Sequence, residues 1–171
     1  MNKATVGYMW EEFRLVNGIT LRAIQALPKD KIDAHPVPGM RTPKELVAHM
    51  ATMMRTVIDG VTKGAIKAEE DADSGAALKS HDDMVRYAQD CWKAADRAFH
   101  TLTDAQLTAM VKTPWGIDFP GHVCVTIVYD EHLHHRGQFY AYLRALGVEP
   151  PFMWDFENSA PEFQPRAAQQ A

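Results

Sequence analysis

The segment DEHLHHRGQ, Asp130 to Gln138, carries three histidines and two acids within nine residues. Imidazole nitrogens and carboxylate oxygens exchange protons near neutral pH and ligate divalent metals, so this segment has the means for either chemistry. The apolar spacing around it predicts a helix from about His122 to Leu146 that stops at Gly147, a usual residue just past a helix end. On a wheel of about 100° per residue with Glu131 at the origin, an arc of about 80° to either side holds Cys124, Val128, His135, Phe139 and Tyr142. Glu131, His135 and Gln138 fall nearly in line at its centre. His132 and His134 mark its edges, while Asp130 and Arg136 point away.

Burying a carboxylate costs on the order of several kcal/mol unless positive charge or good hydrogen bonds compensate it. Three sources could serve Glu131: an arginine from another helix, a protonated histidine, or a metal ion. The i,i+4 spacing of Glu131 and His135 stacks both side chains on one side of the helix, as two ligands to a single ion require, and a metal answers most economically. A third ligand must come from a second helix, where His49 is best placed, beside Thr52 and Thr56. Two imidazoles and a carboxylate would leave positions open for water or substrate and suit Fe(II), Ni(II), Zn(II) or Mn(II). Two alternatives stay open. Glu131 and His135 could form a structural ion pair or hydrogen bond, and His132, at i,i+3 from His135, could replace Glu131 as the middle ligand.

The other candidate groups read as structural. His35, His81, His100 and His122 fall in loops or near helix ends, where solvated histidines are common. Met50, Met53 and Met54 read as core packing. Trp115, Phe119, Phe152 and Trp154 read as plugs for the ends of the molecule, with the lining of a substrate pocket as the alternative.

Four long helices must position these groups. The first runs from about Val6 to Leu27 and ends at Pro28. The second opens with Thr42 as N-cap, Pro43 at the first helical position and Glu45 reaching back, and continues to about Gly60. The third begins at Ser80 with Asp83 three residues on and continues to Leu102, a short turn or helix follows over Thr103 to Met110, and the His122 helix is the fourth. Between the second and third, KGAIKAEEDADSGAALKS reads as a loop or frayed helix end and the likeliest mobile segment. TPWGIDFPG reads as a loop, and the β-branched run CVTIV as helix because it continues a helical stripe. The predicted architecture is all-α, a four-helix bundle over residues 1–150 with a short extra helix, followed by a loosely packed C-terminal tail over 151–171.

A chain of 171 residues with 46% hydrophobic and 23% charged residues suits one globular domain. Its net charge of −4 and lack of a basic run imply no nucleic-acid partner. No apolar run approaches the roughly 20 residues that span a bilayer, and no secretory leader is evident. Two cysteines, Cys91 and Cys124, build no disulfide framework, and the chain reads as cytoplasmic.

His49 within ELVAHMATMM, and HHRGQ followed by FYAYLRALGVEPP, resemble the DinB-like (YfiT-like) superfamily of four-helix bundle metal proteins. The resemblance implies an up-down-down-up bundle, often a homodimer, with a divalent metal held by three side chains, usually histidines: one from the second helix and an H-x3-H pair from the last. His49 and His135 match two of these positions, Gln138 and Arg136 match the motif, and Glu131 stands where the usual pattern has histidine. The activity implied is metal-dependent transfer of a low-molecular-weight thiol to a small electrophilic substrate. Metal-dependent hydrolysis and a non-catalytic metal- or ligand-binding role are the alternatives.

Overall fold

Four long helices account for most of the chain in the computed structural model, which describes residues 2–68 and 75–166: α1 (Lys3–Ala26), α2 (Pro43–Lys63), α3 (His81–Thr101) and α5 (Gly121–Ala145), with a short α4 (Asp104–Thr108) before the last. Their ends follow local chemistry. Asn2 caps α1 by accepting from the Thr5 backbone N–H at 3.0 Å. Thr42 and Glu45 close a reciprocal box at the start of α2: the Thr42 N–H donates to Glu45 Oε2 at 2.8 Å and the Glu45 N–H donates to Thr42 Oγ1 at 3.2 Å. That helix runs one turn past Gly60 and ends where Gly64, at φ 75°, takes the left-handed conformation open to glycine. The Ser80 hydroxyl caps α3 by accepting from the Asp83 N–H at 3.1 Å.

The helices form the expected four-helix bundle. α1 packs on α3 and α5, and α2 packs on the same two, so α1 and α2 occupy opposite corners. A slab of aromatics fills one part of the core: Trp10 stacks on Phe99 with centroids 4.3 Å apart and on Trp92 at 5.6 Å, while its indole N–H donates to Asp96 at 2.9 Å. Burying one such phenylalanine stabilises the fold by about 1.5–3 kcal/mol, and these rings join α1 to α3. Met50 and Met54 are core residues and Met53 packs at its edge, as their spacing predicts.

Several local features differ from the sequence reading. The TPWGIDFPG loop lies within a minimal antiparallel hairpin, β1 (Met110–Val111) with β2 (Phe119–Pro120), and Ala65 bridges to Lys112 beside it. Within the segment from Lys63 to Ser80, Ile66 and Leu78 are buried and residues 75–77 are helical; residues 69–74, including most of the acidic run, lie outside the described residues. Trp115, Phe152 and Trp154 do not plug the bundle. They stand 41%, 69% and 65% exposed, because Trp10, Phe13, Trp92 and Phe99 already fill the core they would have sealed. Phe163 takes the sealing place in the tail. Gly18 of α1 leaves room for it: a Cβ there would come within 2.3 Å of Phe163 Cβ. Arg22 holds Asp155 at 2.8 Å and the buried Arg14 donates to the Gln164 carbonyl at 3.1 Å, so the tail is anchored along α1.

Candidate metal centre

The structure sets the buried face of α5 differently from the wheel. Gly121, Cys124, Val125, Val128, His132, His135, Phe139, Tyr140, Tyr142 and Leu143 are its buried residues, an arc centred about 80° from Glu131. His132 therefore lies near the middle of the buried face and His134 outside it. Glu131 sits at the margin, its side chain 43% exposed against 9% for His135. The carboxylate needs less compensation than full burial demands, and its position opens the cluster to solvent.

His49 on α2 reaches this margin from the neighbouring corner. Its Nε2 lies 3.0 Å from His135 Nε2, with the rings edge-on, and His135 Nε2 lies 3.1 Å from Glu131 Oε2. One donor atom from each of the three residues falls within 4.8 Å of the others, a group able to hold a metal ion. The structure thus brings together the three residues nominated from sequence. Thr52 and Thr56, neighbours of His49 in α2, are engaged elsewhere: Thr52 Oγ1 pairs with the Tyr87 hydroxyl at 2.7 Å, and Thr56 Oγ1 donates to the Thr52 carbonyl at 2.9 Å.

Gln138 sets the chemistry of His135. With His135 Nδ1–H donating to Gln138 Oε1 at 3.1 Å, the Nε2 lone pair is left to face the cluster. The Gln138 amide then donates to His134 Nε2 at 2.8 Å, which fixes the same amide orientation from its other end. Burial pushes the pKa of His135 down and His49 adds to that shift, while the contact with Gln138 and the Glu131 carboxylate oppose it. A neutral His135 with its proton on Nδ1 turns a lone pair toward an acidic oxygen. Two acceptors 3.1 Å apart are reconciled by a cation between them. Pairs of ligands at about 2.1 Å from one ion stand about 3.0–3.4 Å apart across octahedral or tetrahedral edges, close to the separations here. The donor set fits a divalent metal.

His132 is not part of the cluster. Its Nε2 lies 2.8 Å from Thr20 Oγ1 on α1, on the far side of the arc, and burial pushes its pKa down to about 3. The alternative in which it replaces Glu131 is excluded by this direction. His134 is exposed; it meets the cluster through Gln138 and edge-on against the His135 ring, with centroids 4.9 Å apart. His81, read as a solvated histidine, is instead buried against the Ile24 carbonyl at 3.1 Å, and His122 Nδ1 donates to the Leu107 carbonyl at 2.9 Å. No local pattern announces Thr20 as the partner of His132, since the two are 112 residues apart.

The model of the DinB family matches residues 1–167. Among curated proteins nothing matches the chain. Among solved structures, a DinB-like protein from Bacillus cereus ATCC 10987 aligns with a TM-score of 0.70 at 19% identity, covering 84% of this chain and 93% of its own. A DinB-like protein from Bacillus subtilis aligns at 0.66 and 19% identity over 89% of this chain and 94% of its own. YfiT from Bacillus subtilis, described as having an unusual four-helix bundle topology, aligns at 0.62 and 19% identity over 82% and 87%. At these identities the neighbours speak for the fold.

Proposed function

Because the chain belongs to the DinB family, we propose that it is a metal-dependent transferase that joins a low-molecular-weight thiol to a small electrophile, with His49, Glu131 and His135 as the metal ligands. The observation that carries the metal reading is that His49, Glu131 and His135 each offer a ligand atom within 4.8 Å of the other two at the margin of the bundle. Ni, Zn, Fe and Mn all suit this set. When bound, the ion supplies Lewis acidity that favours a coordinated thiolate at neutral pH.

The protein's own residues favour an external nucleophile. Both cysteines are buried, and burial pushes the Cys124 thiol up to about 11, so Cys124 presents no thiolate to the cluster. His135 offers Nε2 and keeps its proton on Nδ1 for Gln138. Glu131, far more exposed than His135, stands at the mouth where substrate would enter. In the transfer, the thiol sulfur loses its proton to solvent and bonds the electrophilic carbon as the leaving group departs with its electron pair. The same proposal includes a cytoplasmic homodimer; no helix among the described residues is long and apolar enough to cross a membrane.

Hydrolysis is the second reading. YfiT is described as a probable metal-dependent hydrolase, and two histidines with a glutamate hold the ion of several zinc hydrolases. A base for the attacking water is harder to name here, since His132 faces Thr20 and His134 Nε2 is taken by Gln138. The experiment offers metal-loaded protein a chlorinated aromatic with and without thiol, and separately a panel of activated esters. Thiol-dependent turnover that disappears in folded His135→Ala supports transfer. Metal-dependent ester cleavage without thiol replaces it with hydrolysis, and metal-loaded protein inert to both leaves a binding role.

A further inference from the structure

Inside the bundle, on the face of α5 turned toward α1, Asn17 and His132 line a cavity of about 10 Å³, room for a single water. The residues are 3% and 5% exposed, and neither the Asn17 amide nitrogen nor His132 Nδ1 has a hydrogen-bond partner among the described residues. Much of the remaining wall is apolar, with Leu21, Ile24, Met50 and Met54 in it.

The neighbouring hydrogen bonds define the roles of the two free atoms. Thr20 Oγ1 donates its one proton to the Val16 carbonyl at 3.1 Å, so at 2.8 Å it accepts from His132 Nε2–H. His132 Nδ1 is then a free lone pair and Asn17 Nδ2 a free donor, each on a residue that lines the cavity. One buried donor and one buried acceptor around a volume fit for a water form a complete complement for that molecule, which donates and accepts at once. A dry cavity would leave both groups desolvated without compensation.

We propose that this cavity binds one internal water that accepts from Asn17 Nδ2–H and donates to His132 Nδ1. The bridge ties α1 to α5 three residues from His135, and it is independent of the metal reading. Water is the only ligand class the volume admits, in contrast to the open margin on the other side of α5.

Two measurements test this. A crystal structure of the wild-type chain at about 1.5 Å resolution should show a density peak within hydrogen-bond distance of both atoms. Thermal unfolding of Asn17→Leu, a near-isosteric change, gives an independent sign. If the water is bridged, leucine strands the His132 lone pair and Tm falls by at least about 3 °C; if Asn17 is orphaned, removing its donor leaves Tm unchanged or higher. A cavity without density, a direct Asn17 to His132 contact, or a Tm that does not fall would overturn the proposal.

Discussion

Gln138 bonds in two directions at once, accepting from His135 and donating to His134. That double role makes it the residue whose loss should weaken the cluster without removing a ligand. Gln138→Leu frees the His135 ring to rotate and to change tautomer, and metal affinity is expected to fall about 10–100-fold in chelator competition. His134→Ala, which removes the Gln138 contact and an edge contact with the His135 ring but leaves the His135–Gln138 bond in place, should cost much less. His132 gives a second prediction at this scale. Its folded pKa of about 3 lies below the ordinary 6.5, so the unfolded chain binds the proton more readily and stability rises with pH across that window. The contribution is complete above pH 6.5 and is lost as pH falls toward 3. Between pH 7 and pH 5 the loss is about 2 kcal/mol for this one group, read from urea unfolding with metal removed, and His132→Gln should flatten the dependence.

Helix ends were the most legible part of the sequence, because each is decided by a few adjacent residues. Thr42 with Glu45, Ser80 with Asp83, and Gly147 all act where their types predict. Thr42→Ala should cost about 1 kcal/mol in urea unfolding and fray the turn that leads to His49. Gly18→Ala should displace Phe163, since the added carbon has no room beside it; faster proteolytic clipping of the tail and a loss of about 1–3 kcal/mol are the expected readouts. What local pattern could not settle was the rotation of α5. Its apolar residues continue through Val125, Tyr140 and Leu143, flanking one side of the polar line, and only the neighbours in space decide how far the helix turns toward them. α1 draws His132 inward through Thr20, which moves Glu131 to the margin. Trp115, Phe152 and Trp154 were misplaced for a similar reason, while Phe119 packs against the core: aromatic type argues for burial, but Trp10, Trp92 and Phe163 had already claimed the space.

At the scale of the whole molecule, two faces of one helix carry different chemistry. α5 turns Glu131 and His135 toward α2, where His49 completes the cluster, and turns His132 toward α1. The bundle fixes both, since α5 packs against α1 and α2 at opposite corners. Sequence alone reached the three cluster residues because i,i+4 spacing is local and because His49 lies in the middle of the second helix beside its apolar stripe, a position the family resemblance also matches; their meeting in space depends on helix packing. The account rests on a metal held there. The most direct measurement is elemental analysis of tag-free protein by plasma mass spectrometry, comparing wild type with His135→Ala and Glu131→Ala, each checked for folding by circular dichroism. The account predicts about one divalent ion per chain in the wild type and its loss from both folded variants. A wild type that carries no metal and takes none up, or folded variants that keep a full complement, would contradict it.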